Sequence, residues 1–386
     1  MEWWYHMPVV TFAAFAFVLG LGIGSFLNVL IARMPYEKSV VWPGSRCGAC
    51  FRPLLFTDNL PIIGYLRLRG KCRFCGAKFS SRYLWIELAT GVVFLALFLL
   101  ELVFNWHAVP GLAPQFGGLP PLRAWLYFAA LAFLFSMLLA AAAIDFNYRI
   151  IPGQLTYTAT LVGILVSMLF PWPWPSAGVP MPPNLPGGFG WANPLLAGQI
   201  PSGLALWPVW GPPPAWAPPD SWQLGFLTGV VGAAVGQFVG RSVKWLFEIG
   251  FGREALGLGD ADLLMMIGSF LGWQITVLAL PAGAFVLLPL LLPWMLVKTA
   301  LYYLRPLPDQ PAANVEPGVP FGPGIAAGAV ACWVAWPWVG EAGRTFFFSP
   351  LVLLLTAAIV GGGLLVFGLL LRRGPEPAVA TTGTAP

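Results

Sequence analysis

Residues 124–145 read AWLYFAALAFLFSMLLAAAAID, an uncharged run from Ala124 to Ile144 that stops at Asp145. About 20 apolar residues carry a helix across a bilayer, so this stretch alone predicts a membrane span ending in a carboxylate. Similar runs are expected at about 9–31, 83–104, 154–171, 223–247, 262–277, 278–300, 320–338 and 350–371. The 262–277 run is short and holds Gly268 and Gly272, so it is expected to be tilted or only partly spanning. The composition agrees. Hydrophobic residues make up 58% of the chain and charged residues 9%, against about 25% charged in a soluble protein. The fold class is therefore an all-α polytopic membrane protein, with eight to nine transmembrane helices.

Charge gives an orientation. Alternating the loops places 18 of the 20 Lys and Arg on one side, and ten of them lie between Arg33 and Arg82. The rich side is expected to be cytoplasmic, which puts the N-terminus outside with Trp3, Trp4 and Tyr5 as interfacial anchors. The net charge of +5 then reports topology and contact with membrane lipid, not nucleic-acid binding. No basic stretch precedes the first span, and no small-residue cleavage site follows it, so it is not read as a signal peptide.

The chain divides into a first span (1–31), a basic cysteine-bearing segment (32–82), a multi-span region (83–371) and a tail (372–386). Within the third, residues 172–222 are rich in Pro, Gly and Trp. Such a stretch builds neither helix interiors nor central strands, and it is expected to be an irregular outer loop. The tail is expected to be disordered.

Two chemistries stand out. Cys47-Gly-Ala-Cys50 and Cys72-Arg-Phe-Cys75 are two C-x-x-C pairs 21 residues apart. Two such knuckles complete a four-sulfur zinc site, with Gly48 and Gly76 suited to tight turns. Redox-active or unliganded thiols are the alternative. Four thiolates close the coordination sphere, so the zinc is expected to be structural. Cys332 stands alone in an apolar span and reads as a core residue.

The second chemistry is acidic. Asp145 ends one span, and Asp260 follows Gly257-Leu-Gly259 at the start of another, with Asp262 two residues on. The alternating topology puts both ends on one face. Two facing carboxylates do not both ionise easily, so one holds a proton while the other accepts one. Such a pair can activate water against a peptide carbonyl. Gly257 and Gly259 leave room for an extended substrate backbone. The plainer reading makes these aspartates solvated caps at the interface, and Asp262 is an alternative partner or a helix-start acid. His6 and His107, the two histidines, both fall on the outer side, which argues against a His-assisted nucleophile at the cytoplasmic face. A transporter or scaffold using the aspartates as ion or proton sites is the competing class. Its acids belong near the midplane, not at span ends.

The motifs taken together resemble the type IV prepilin peptidases, also called prepilin leader peptidase/N-methyltransferases. The resemblance is carried by Gly24-Ser25-Phe26-Leu27-Asn28-Val29 with Arg33 and Pro35, by the spacing of the four cysteines, and by Asp58-Asn59-Leu60-Pro61. It continues in Arg69-Gly70-Lys71-Cys72, Ser81-Arg82-Tyr83 with Glu87, Asp145 with Ile151-Pro152, Gly257-Leu258-Gly259-Asp260 and Pro320-Phe321-Gly322-Pro323. It implies catalytic roles for Asp145 and Asp260 but not Asp262, prepilins or pseudopilins as substrates, and cleavage of their leaders at the inner membrane. It also implies N-methylation with S-adenosylmethionine. The long 172–222 stretch and the last span depart from the family pattern. No nucleotide-binding fingerprint of the soluble type is present, so methyl-donor binding rests on the resemblance.

Overall fold

The computed structural model describes residues 3–107, 109, 112, 120–170, 216–217, 221–252, 256–304, 321–342, 347 and 350–371. Most of the 172–222 loop, the whole 372–386 tail and Pro320 of the late motif lie outside the described residues. Within them the chain is helical and has no strands, only two isolated bridges. The long helices are α1 (Trp3–Arg33), α3 (Arg82–Leu97), α4 (Leu122–Tyr148), α5 (Gly153–Leu169), α6 (Trp222–Phe251), α7 (Leu258–Leu304), α8 (Gly322–Ala342) and α9 (Pro350–Leu371), with a single-turn α2 at Ile63–Arg67. Among the described residues, six helices are long and apolar enough to cross a membrane, and α5 is a shorter apolar helix. The protein is a multi-pass membrane protein.

α7 does not run straight. At Gly272 the backbone leaves helical geometry (φ 78°, ψ 168°). Its first limb pairs along α5, with Gly259 against Ile151 and Phe270 against Gly163. Its second limb pairs antiparallel to α8, Gly283 against Gly324 and Ala279 against Gly328. Gly322 at the start of α8 packs on the same Ile151. The first limb therefore leaves the end of the bundle that holds the aspartates, and the second limb returns to it. The expected division between 277 and 278 falls instead at Gly272. The first limb, Leu258 to Leu271, rises only about 21 Å at 1.5 Å per residue, in keeping with the expected short span.

Small residues set the helix contacts. A Cβ on Gly232 of α6 would lie 2.0 Å from the carbonyl oxygen of Gly268 on α7, and the reverse contact is the same. Lipid offers little hydrophobic incentive for two helices to associate, so close backbone approach and dispersion do the work. α4 is central, two-thirds buried over its most apolar window, whereas α9 is 6% buried and leans on α6 through Gly250 and Gly368. The departure from the family pattern thus sits at the edge of the bundle.

Beyond α3 the helix widens into a π-turn at Phe98–Val103. Glu101 within it is fully buried and meets His107 Nδ1 at 2.5 Å, while His107 Nε2 contacts the Trp333 carbonyl at 2.8 Å. Trp333 stands roughly 16 Å along α8 from Gly322. This histidine is a packing element remote from Asp145, as its expected place away from the acidic end requires.

Candidate active site

Asp145 lies in the last turn of α4, and Arg149 closes that helix in the left-handed conformation (φ 58°). Its carboxylate does not face solvent. It is buried, and Oδ2 accepts a hydrogen bond of 2.9 Å from Gly322 N at the start of α8. The first N–H groups of a helix have no internal partner and favour an anion, so α8 presents a built-in seat for this side chain. Gly322 leaves room for the carboxylate. A Cβ would fall 2.8 Å from Asp145 Oδ2 and 3.1 Å from Ile151 Cδ1.

Asp260 sits in the first turn of α7 and is also buried. Its Oδ2 accepts 3.0 Å from Gly257 N, and its own N–H donates to the Gly257 carbonyl at 3.2 Å. The side-chain bond is the N3 half of a capping box, with Asp in the position usually held by Glu; Gly257 has no side chain to supply the other half. Gly259 packs directly on Ile151, 2.9 Å from its Cβ to a virtual Cβ. Its missing side chain is thus used for packing, while Gly257 has only ordinary contacts around a virtual Cβ. Ile151 touches both Gly259 and Gly322, so one residue of the α4–α5 connection packs on the turn that carries Asp260 and on the turn that holds Asp145. The structure brings these two carboxylates to one end of the bundle, and neither is a solvated cap.

Asp262 is turned elsewhere. Two residues on a helix rotate about 200°, and its carboxylate accepts a hydrogen bond from Gln237 of α6 and lies near the Tyr157 hydroxyl of α5. Gln237 in turn receives Arg241 Nε at 2.9 Å. Asp262 ties three helices together and faces away from Asp145.

The four cysteines form the second centre. Their sulfurs lie within 4.8 Å of one another, with Cys47–Cys75 at 3.8 Å and Cys50–Cys72 at 4.0 Å. Tetrahedral Zn–S bonds of about 2.3 Å place sulfurs about 3.8 Å apart, so the set fits a metal ion. The two knuckles repeat each other. Phe51 N returns to the Cys47 carbonyl as Gly76 N returns to the Cys72 carbonyl, both at 3.0 Å. The left-handed position is Gly76 (φ 71°) in one and Phe51 (φ 58°) in the other. Gly48, expected to serve the turn, is not in that conformation. N–H groups of Cys50 and Ala49 lower the Cys47 thiol to about 6. Cys75, despite the lowering Ala77 N–H, is pushed up to about 11 by burial and the neighbouring thiols. Crowded sulfurs resist sharing negative charge, and a divalent cation removes that resistance.

Asp58 braces this region. Its side chain is 1% exposed and is held by the Arg73 guanidinium, with Nε to Oδ2 at 2.9 Å. Arg73 keeps the Asp58 carboxyl below its usual range. A lowered carboxylate stabilises the fold above its unfolded pKa, near 4, and that contribution fades as pH falls through the folded value. Asp58→Asn should therefore lower the melting temperature in detergent at pH 7, and the gap from wild type should close below about pH 4. An unchanged gap at the lowest accessible pH would show that the ion pair contributes nothing.

An open cleft of about 930 Å³ lies between the cysteines and the acidic end. Cys47, Lys78 and Arg82 line one side; Ala142, Asn147 and Pro323, neighbours of Asp145 and Gly322, line the other.

Comparison with known proteins follows this layout. A family model described as the bacterial peptidase A24 N-terminal domain matches residues 18–100, which hold the second half of α1, the cysteine knuckles and α3. The chain is 32% identical over 263 residues to a prepilin leader peptidase/N-methyltransferase of Myxococcus xanthus, covering 68% of this chain and 57% of that relative. It is 31% identical over 267 residues to the protein of that name from Klebsiella pneumoniae, covering 68% of this chain and 86% of the relative. With the Aeromonas salmonicida protein it shares 27% identity over 377 residues, covering 91% and 99%. No solved structure matches. With close to a third of positions identical across most of the Klebsiella protein, this chain belongs to the prepilin leader peptidase/N-methyltransferase family.

Proposed function

We propose that this chain is an aspartic endopeptidase of the inner membrane. It removes the leader of type IV prepilins or pseudopilins at the cytoplasmic face and then N-methylates the new terminus. The observation that carries the proteolytic half is the pair of buried carboxylates at one end of the bundle, each held through Oδ2 by one backbone N–H. That leaves Oδ1 of each for water and substrate. The ionised member takes a proton from water as the water oxygen attacks the scissile carbonyl carbon. The protonated member donates to the carbonyl oxygen, and a proton then passes to the leaving nitrogen as the C–N bond breaks. Well-placed groups of this kind supply about 10²–10⁴-fold each. Both aspartates lie in terminal turns of their helices, which favours a peptidase over a transporter with midplane acids.

The basic side of the chain is the cytoplasmic one in this reading, with the N-terminus outside and the cysteine region beside anionic lipid. Zinc held by Cys47, Cys50, Cys72 and Cys75 is structural, because four thiolates leave no open position. S-adenosylmethionine supplies the methyl group when bound. The 930 Å³ cleft gives an extended leader–pilin junction a route between the cysteine region and Asp145. Arg73 is committed to Asp58, so any pairing with an acidic group on a mature pilin falls to other basic residues such as Arg67 and Arg69.

Mass spectrometry of the N-terminus of a co-expressed prepilin tests both halves. A shortened and methylated terminus is the expected result, and an intact leader would refute the reading. Gly322→Ala should reduce cleavage about 10²-fold, the scale of an ångström-sized misplacement. The added methyl displaces the Asp145 carboxylate without removing it. Wild-type cleavage by that variant would detach Gly322 from the site.

A further inference from the structure

Two buried polar groups play no part in the acidic pair. Asn28 of α1 and Glu87 of α3 line a half-open cavity of about 210 Å³ where these helices meet the cysteine region. Ser25, Asp58, Tyr65 and Tyr83 complete much of its wall, which Arg33 and Arg46 also line without pairing to Glu87. Asn28 is 2% exposed. Its Nδ2 donates to the Tyr83 carbonyl at 3.0 Å, which fixes the amide and leaves the buried Oδ1 without a partner. Glu87 Oε2 accepts from Ile62 N at 2.7 Å, and the Ser25 hydroxyl lies near the carboxylate. Among the described residues no cation pairs with Glu87. Asp58, by contrast, is filled by Arg73.

The wall therefore offers an empty acceptor beside a carboxylate whose donors are all neutral. Both conditions are costly in a buried site unless a ligand meets them. The matching ligand is a cationic hydrogen-bond donor. Gly48, Phe79 and Tyr83 line both this cavity and the 930 Å³ cleft, so the two spaces share a wall.

We propose that the cavity between α1, α3 and the cysteine region seats the charged methionyl end of S-adenosylmethionine, with Asn28 Oδ1 and the Glu87 carboxylate receiving its ammonium group. A cavity of this size holds the amino-acid end and not the whole cofactor. The assignment rests on the methyl-transfer half of the function proposed above.

The test is binding, read on the purified full-length protein in detergent with radiolabelled S-adenosylmethionine. Ultraviolet cross-linking followed by peptide mapping should place the label on segments containing Asn28, Asp58–Tyr65 or Tyr83–Glu87. In equilibrium dialysis, Glu87→Gln should weaken binding at least tenfold. Ala32→Phe, which fills the cavity and leaves both polar groups in place, should abolish it. A label elsewhere overturns the assignment, as does wild-type binding by both variants at unchanged melting temperature. The wild-type cross-link decides even if both variants unfold. If the cavity takes the pilin amine instead, a short pilin N-terminal peptide will compete for it and the cofactor will label another segment. A label in the cavity without methylation of a prepilin would count against the methyl-transfer reading and leave the cavity's ligand standing. Methylation with the label elsewhere would do the reverse.

Discussion

Asp145→Asn and Asp260→Asn should each lower cleavage of a prepilin-like peptide in detergent by about 10²–10⁴-fold, the range for a lost general acid or base. The two changes should not multiply, since groups acting as a unit are strongly non-additive. The double variant is expected to resemble either single one. Neither change should unfold the protein. Asn keeps an oxygen for the N–H of Gly322 or of Gly257, so the local hydrogen bond survives while the proton chemistry does not. Asp262→Asn supplies the comparison. Its partners Gln237 and Tyr157 belong to a helix-tying network, so cleavage should persist at near the wild-type level. Full activity in Asp145→Asn or Asp260→Asn would end the dyad mechanism, and loss of activity in a well-folded Asp262→Asn would reassign the second carboxylate.

The other large effect is expected at the cysteines. A structural zinc site in a small domain binds with about 10–16 kcal/mol, and that binding is folding free energy. The segment from Met34 to Ser81 holds only one short helix and two 3-10 turns, too little structure to persist on packing alone. Cys72→Ser, or a strong chelator, should release the metal and expose this region to protease, with cuts confined to residues between Arg33 and Arg82. Methylation should be lost. Cleavage should fall less, because Asp145 and Asp260 are fixed by α4, α7, α8 and Ile151, none of which belongs to the cysteine region. Zinc content that stays at one per chain in Cys72→Ser would remove that residue from the site. A protease-resistant, metal-free protein would make the metal dispensable for the fold.

Much of this layout is legible in the residues. Long apolar runs mark the helices because a bilayer tolerates little else, and paired C-x-x-C spacing marks the metal centre because tetrahedral sulfur geometry demands it. Asp145 and Asp260 are visible as rare acids at the ends of such runs. What hydropathy does not show is the turn inside α7. No polar loop separates its limbs, and only the backbone of Gly272 marks the reversal, so a division by composition falls after residue 277. The role of Ile151 is equally hidden, since nothing in an apolar side chain says that two glycine-bearing turns will close on it. Nor do Asn28 and Glu87 announce a shared cavity from 59 positions apart. The first knuckle placing Phe51 where the second places Gly76 shows the converse. A backbone requirement is met by a residue whose side chain gives no hint of it.

The reversal at Gly272 makes α7 a pair of calipers. One jaw carries Asp260, and the other grips α8, whose first N–H holds Asp145. The pivot lies about 21 Å from the jaws, so a few degrees of opening there become roughly an ångström between the carboxylates. Changes at Gly272, or in whatever presses on that far end of the bundle, act on the gap without touching the acidic end at all.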